Sequence, residues 1–299
     1  MGTMEKLNRK TFYKPDQSII EKMKMVYANC KKAVAYTKKL GIPDELVEEN
    51  IDIFYDFAKD LNYCDKCPGI ENCVKEDPHL CTKVIYNDGI VERQLTPCKK
   101  LLEKMHLKNQ FIVMDFDSDW LNSAIGKLNN NKGRTSALKK YREFIKNGNT
   151  NWLYMTGEHN TGRSFLAATI AVDAAKREKG PIAFINCTQR IKQLHDLNFK
   201  NTELFQKTMM AYCSVPILVL DDFGNEYKND FVRDGIVFEI LSKRASDKLF
   251  TIFTSDFTFD EIVTMYSTSK ASTVRAKQIG RLLTNNAEEE INLGEIAVY

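Results

Sequence analysis

Along residues 16–62 apolar positions recur at helical rather than alternating spacing. Ile20, Met23, Met25, Val26 and Cys30 form one approximate stripe, and Val47, Ile51, Phe54 and Leu61 form another, widened by Leu46, Ile53 and Phe57. Residues three and four apart share a helix face, so the spacing predicts helices that pack on one another or on a partner. Core packing is the economical reading of any single Met or Phe among them. Pro43 and Asp44, after Leu40 and Gly41, mark a fresh helix start. From about residue 150 the texture changes to short, unbroken apolar runs separated by amphipathic stretches. Runs at 152–155 (WLYM), 180–186 (GPIAFIN), 216–220 (PILVL) and 249–255 (LFTIFTS) read as strands. Helices are expected in the alanine-rich stretch to Arg177 and over 188–197, 204–212, 230–248 (broken into by Gly235), 259–265 and 269–283. Continuous apolarity suits strands covered on both faces. Strands alternating with helices argue for a parallel sheet between helical layers, a three-layer α/β fold.

Between the two textures lie QFIVMDFDSDWLNSAIGKL at 110–128 and an asparagine-rich run ending at Gly133. The expected organisation is therefore a helical unit over 1–106, a linker over 107–130 and an α/β domain over 131–299. A length of 299 residues has room for two domains, and 43% hydrophobic residues suffice for a proper core. The net charge of +3 is too mild to announce a nucleic-acid binder by itself. No apolar run approaches twenty residues and the start MGTMEKLNRKTF is polar, so a cytoplasmic protein without membrane contact is expected.

Composition adds one local feature. Of eight cysteines, five crowd into 64–98: Cys64, Cys67, Cys73, Cys81 and Cys98, with His79 among them. Without an export signal such a cluster reads as metal ligands rather than disulfides. The two-residue gap between Cys64 and Cys67 lets both thiolates reach one ion, and a distant pair can close a tetrahedron. A structural Zn2+ would hold a small, loop-rich subdomain. Cys64 and Cys67 are the first choices, Cys81 and Cys98 plausible completions, and Cys73 or His79 competitors; an iron–sulfur cluster is the chemical rival.

The chemistry of the second half centres on Gly157, Glu158, His159, Asn160, Thr161, Gly162, Arg163, Ser164 and Phe165, placed between a strand and a helix. Strand, glycine loop and helix wrap a phosphate chain, because loop N–H groups and the helix N-terminus point at the anion. The spacing fits G-x-x-x-x-G-K-[ST] at both glycines, and Ser164 supplies the hydroxyl for magnesium. Arg163 stands where the pattern has lysine. A bare Gly-x4-Gly can be a tight turn, but about sixty residues on an apolar run ends in Asp221 and Asp222. Carboxylates at a strand's C-terminal end sit where open α/β sheets bind ligands. Asp221 can hold the magnesium shell, and Asp222 can orient water. ATP or ADP with Mg2+ is the expected ligand. Lys132–Lys146 carries six basic residues against one acidic, either a solvated helix face or a surface for DNA phosphates. Lys139, Lys140, Arg142, Arg233 and Arg275 are the candidates for that contact.

Taken together, the chain resembles the bacterial replicative helicase loaders, the primosomal loaders of low-G+C Gram-positive bacteria. The resemblance rests on the N-terminal helices with the cysteine module, Phe223-Gly224-Asn225-Glu226 after the two aspartates, Val232-Arg233-Asp234, Phe253-Thr254-Ser255 and Arg281. It implies an AAA+ domain that binds ATP and single-stranded DNA. It also implies an N-terminal domain that docks on the hexameric replicative helicase, with self-assembly on that ring as an option. In the family's register, Cys64, Cys67, Cys73 and Cys98 fall on its cysteines and Cys81 on its histidine, so four of these five are expected to hold zinc. Alternatives are a catalytically degenerate AAA+ adaptor and a transposition accessory ATPase, the latter opposed by the cysteine-rich N-terminal part.

The chain departs from the family at three positions. Arg163 replaces the loop lysine, Asp256 replaces the polar residue that sees the γ-phosphate, and the tail from Gly294 to Tyr299 lacks the second-sensor arginine. Arg281 matches the residue a neighbouring subunit would use as a finger. In this class the sensor strand lies beside the strand feeding the glycine loop. Asp256 is therefore expected close to Arg163, paired with it across the γ-phosphate position. ATP turnover should then be slow, with Asp222, Asp256 and Arg281 left as the candidate catalytic set.

Overall fold

The computed structural model describes residues 16–129 and 131–294, so the polar start and the tail beyond Gly294 lie outside the described residues. The chain divides into two units after Lys104. In the first, helices α1 (Gln17–Asn29), α2 (Lys31–Lys39), α3 (Asp44–Glu49) and α4 (Ile51–Asp65) precede an antiparallel hairpin of β1 (Leu80–Asn87) and β2 (Ile90–Pro97). Both expected stripes are used. Cys30, Val47, Ile51, Phe54 and Phe57 are buried, and Ile20, Met23, Val26, Leu46, Ile53 and Leu61 pack around them. Met25 is the exception and is exposed. The hairpin, which the apolar pattern did not announce, contributes Val84 and Val91 to the same core. Its two-residue turn, Asp88 and Gly89, has positive φ at both positions, the twist that suits a right-handed strand pair.

Helix α5 (Lys99–Asn109) crosses from the first unit into the second. The second unit continues with β3 (Phe111–Met114), α6 (Lys132–Asn147), β4 (Leu153–Thr156), α7 (Arg163–Lys176), β5 (Ile182–Asn186), α8 (Cys187–Lys200) and α9 (Thr202–Ser214). It ends with β6 (Ile217–Asp221), α10 (Phe238–Ser246), β7 (Phe250–Thr254), α11 (Phe259–Tyr266), α12 (Lys270–Ala287) and β8 (Glu290–Asn292). The six strands form one parallel sheet in the order β3-β5-β6-β7-β4-β8.

The expected parallel sheet between helical layers is present, and the strand pattern explains it. Successive residues point to opposite faces, so Leu153, Met155, Phe184, Val219 and Ile252 pack beneath α6 and α7. Tyr154, Ile185, Leu218, Leu220 and Phe253 meet the opposite helical layer. Helix α7 is apolar nearly all round, with Leu166–Val172 essentially inaccessible, and its alanines allow close approach to the sheet.

One expectation needs correction. The stretch 107–130, read as a linker, contains β3 at the sheet edge and two 3-10 turns; Phe111 and Phe116 pack into the core beside Phe184. The helix expected over 230–248 and broken into by Gly235 is present: a π-helical turn, Val232–Val237, contains that glycine and runs directly into α10. There Gly235 admits the Phe231 ring so closely that a Cβ would lie 3.0 Å from it.

Candidate functional site

The glycine loop joins β4 to α7 at the C-terminal edge of the sheet, where loops from neighbouring parallel strands converge. Gly157, Asn160 and Gly162 all take positive φ. A Cβ on Gly157 would meet Thr161 Oγ1 at 3.1 Å and the Gly294 carbonyl at 3.2 Å, so glycine is required there. The Thr161 hydroxyl donates to the Glu158 carbonyl at 2.9 Å and closes the loop on itself. Glu158, His159 and Asn160 are exposed. Glu158 and His159 line a cleft of about 520 Å³ with Asp256, Thr258 and Asn292. Phe165, on the first turn of α7, meets Trp120 edge to face.

The side expected to hold magnesium brings Asp221, Ser164 and Thr254 together. Asp221 ends β6 and is buried, and Ser164 and Thr254 both hydrogen-bond its carboxylate, Thr254 at 2.6 Å. Burial pushes this carboxyl up to about 6 against those hydroxyl donors. Asp222 has φ 56°, an unusual conformation for a non-glycine residue. Its N–H donates to Thr254 Oγ1 at 3.0 Å, and its carboxylate accepts from Asn186 Nδ2 at 3.2 Å. Asn186 ends β5 in register with Asp221.

The sensor side differs. β7 pairs with β4, Met155 opposite Thr254, which brings Asp256 to Arg163 as the sequence predicts. Arg163 Nη2 is ion-paired with Asp256 Oδ1. Its Nη1 donates to the carbonyls of Ser255 and, at 2.7 Å, Gly157. The Arg163 side chain is 6% exposed and points across the mouth of its own loop rather than outward. The second oxygen of Asp256 accepts from Asn225 Nδ2 at 2.8 Å. Burial pushes the Asp256 carboxyl up, but the Arg163 and Asn225 hydrogen bonds outweigh it and hold it below the usual range.

The other candidates are scattered. Arg281 is exposed on α12, away from these contacts. Of the five basic residues expected to meet DNA, Arg233 is buried between Asp230 at 2.7 Å and Asp234 at 2.6 Å. Lys140 bonds the Ala287 carbonyl and lies 3.5 Å from Glu289. Arg275 rests 3.9 Å above the Phe238 ring and 3.5 Å from Asp234. Only Lys139 and Arg142 are exposed and without an ion pair among the described residues. Arg233 lies in the π-helical turn, buried and paired with the two neighbouring carboxylates, so of the five it is the least available to DNA phosphates.

The four-ligand zinc set is likewise not assembled. Among the described residues no group of three or more His, Cys, Asp or Glu side chains is placed to hold a metal ion. Cys64 and Cys81 do meet, Sγ to Sγ, at 3.7 Å. Two thiolates on one tetrahedral zinc would lie roughly 3.8 Å apart, given a Zn–S length of about 2.3 Å. Their further neighbour, however, is the Lys75 ammonium, 3.5 Å from Cys81 Sγ and 2.7 Å from Asp60. Cys98 accepts the Leu101 N–H at 3.4 Å, Cys73 takes backbone N–H groups of His79 and Lys75, and His79 bonds the Ile70 carbonyl at 2.8 Å. Each of these makes a local contact apart from the Cys64–Cys81 pair, so the residues as placed fit half a zinc site.

Sequence reasoning missed Asn186, and it quoted Asn225 and Thr254 within motifs without foreseeing their contacts, which depend on register between strands. It also missed Arg134, although a signal existed: Arg134 interrupts the stripe Ala137, Leu138, Tyr141 at helical spacing, and all four are buried.

The profile of the family described as IstB-like ATP binding protein matches residues 91–283. A replicative helicase loader of Bacillus subtilis (strain 168), DnaI, is 23% identical over 281 residues, covering 90% of this chain and 89% of that protein. A crystal structure of DnaI aligns with TM-score 0.55 and 24% identity, over 62% of this chain and 97% of that one. That structural likeness shows the fold. Among the described residues no helix is long and apolar enough to cross a membrane.

Proposed function

The chain belongs to the family of IstB-like ATP-binding proteins, and from that premise we propose that it is a helicase loader whose nucleotide site acts as a switch rather than a turnover engine. As an AAA+ protein related to replication loaders, it would bind the hexameric replicative helicase through its first unit and single-stranded DNA through its second. The similarity to DnaI supports this because it runs through both units. The family profile begins at residue 91 and says nothing of the helices before it. A transposition accessory ATPase would need only the second unit, which is why that reading ranks lower.

The observation that carries the nucleotide part is the Arg163–Asp256 pair. A triphosphate needs a cation free to reach its β/γ-phosphates, and a carboxylate at the γ-position repels it. With Arg163 committed to Asp256, the site favours ADP–Mg2+ over ATP–Mg2+. Asp222 has little developing charge to manage, and Arg281 serves assembly rather than catalysis.

The test mixes the full chain with the replicative helicase of the same cell and follows co-elution with ADP–Mg2+, ATP–Mg2+ and neither. A stable complex whose yield depends on nucleotide is expected, and absence of any complex would end the loader reading. A complex indifferent to nucleotide would leave an adaptor that docks without a switch. Single-stranded DNA binding should fall steeply with salt and weaken when Lys139 and Arg142 are neutralised, as counterion release requires. The zinc reading stays tied to the sequence spacing and the Cys64–Cys81 pair; elemental analysis should return about one zinc per chain.

A further inference from the structure

Arg134 lies in the first turn of α6 and is 3% exposed. Among the described residues no carboxylate lies within ion-pair distance of it. Its guanidinium is engaged by backbone alone: Nη1 donates to the Asn129 carbonyl at 2.8 Å and Nη2 to the Thr161 carbonyl at 3.2 Å. A Cβ on Gly162 would sit 3.4 Å from Nη2, so the guanidinium touches the turn that begins α7. The start of α6 is tied to β8: the Asn131 amide donates to the Leu293 carbonyl at 2.9 Å, and Gly133 lies so close that a Cβ there would be 2.1 Å from the Asn292 carbonyl oxygen.

This is an expensive arrangement for a structural side chain. A buried cation without a counter-ion is unfavourable, and so is a cation in the first turn of a helix, at the positive end of its dipole. Leu or Met would continue the apolar stripe of Ala137, Leu138 and Tyr141 without either cost. Arg163, the other buried cation at this loop, has its charge answered by Asp256. Among the described residues no carboxylate answers the charge of Arg134, and its guanidinium touches the glycine loop at Thr161 and Gly162.

We propose that Arg134 is a nucleotide-binding residue: its buried guanidinium, clamped on the Thr161 carbonyl, supplies the glycine loop with the positive potential that Arg163 surrenders to Asp256. The ligand is the diphosphate of a nucleotide. The proposal rests on the reading of the loop as a nucleotide site. A buried charge is poorly screened, so its effect should survive high salt, unlike that of a surface lysine.

The experiment measures ADP–Mg2+ affinity calorimetrically for the native full chain, Arg134→Gln and Arg134→Lys, at low and high salt, with unfolding midpoints taken without nucleotide. Glutamine can still donate to Thr161 but carries no charge, whereas lysine keeps the charge and loses the fork. Arg134→Gln should lose about tenfold in affinity at both salt concentrations, and Arg134→Lys should stay within about threefold of native. Equal affinities for the two variants, whether both native-like or both weakened, would overturn the proposal. Should Arg134→Gln not fold, Arg134→Lys decides alone, and a tenfold loss there refutes the charge role. A native chain that binds no ADP refutes the nucleotide reading of the loop and this proposal with it. Native binding with indistinguishable variants refutes this proposal only.

Discussion

The two sides of the glycine loop solve the same electrostatic problem in opposite ways. On the sensor side every charge is answered within the protein: Arg163 by Asp256, and the second oxygen of Asp256 by Asn225. On the magnesium side Asp221 is buried with only hydroxyl donors, and Asp222 is held by an amide. Neither aspartate has an ion pair among the described residues. The substitutions have thus internalised the charge that would meet a γ-phosphate and left the carboxylates that would meet a metal. On the proposed reading, a site of this kind would hold a diphosphate with magnesium and close against a third phosphate.

The largest effect is expected on the magnesium side. On the proposed reading, in which the Asp221 carboxylate would hold the metal, Asp221→Asn should abolish Mg2+-dependent nucleotide binding, a loss of about a hundredfold, because an amide is a poor ligand for magnesium. The same change should stabilise the nucleotide-free fold by about 2 kcal/mol at pH 7.5, since a buried carboxyl pushed up to about 6 holds its charge at a cost. The sign follows from linkage. Between the usual 3.8 and about 6 the native chain binds the proton and the unfolded chain does not, so stability falls as pH rises through that window. The advantage of the neutral amide should therefore be complete above about pH 6 and gone below about pH 4 in urea titrations. A destabilised variant at pH 7.5 would show that Asp221 is not strained as described.

Next in size is the sensor side. Asp256→Asn should raise ATP affinity about tenfold, and Arg163→Lys should do so less, because Asp256 still repels the γ-phosphate. Combined, the two should exceed the sum of their separate effects, since each removes half of one contact. ATP and ADP titrations with turnover rates for the four proteins decide this. Additive effects, or brisk hydrolysis by the native chain, would break the contrast between the two sides.

The sequence made part of this legible for physical reasons. Strand β4, the loop and α7 were readable because a continuous apolar run, two glycines and an alanine-rich helix each carry their own signal. The Arg163–Asp256 pair could be anticipated because adjacency of β4 and β7 turns two odd residues into one contact. Strand β3 was missed because a four-residue edge strand with one face half covered resembles a loop. The DNA-facing role expected of Arg233 could not be judged in advance, since its burial depends on how its helix packs, although its two carboxylate partners are near in sequence. Asn225 was visible only as part of the motif after the two aspartates; its contact with Asp256, 31 residues away on another loop, gave no signal.

That residue supplies the smallest and sharpest test. Asn225 stands on the loop after β6, and its Nδ2 holds the oxygen of Asp256 that Arg163 does not use. Its carbonyl is 3.4 Å from the Thr188 hydroxyl on α8, and its N–H bonds the Asp222 carbonyl at 3.1 Å, so the two sides of the site meet at this one side chain and its backbone. Asn225→Ala removes one hydrogen bond from a neutral amide to a charged but partly exposed carboxylate, worth about 1.5 kcal/mol. Arg163 alone then orients Asp256, and the carboxylate can swing away from the γ-position. ADP affinity should hardly change, while the preference for ADP over ATP should narrow about threefold. Loss of affinity for both nucleotides alike would mean that Asn225 merely supports the loop, and the sensor side would then be closed by the Arg163–Asp256 pair without help.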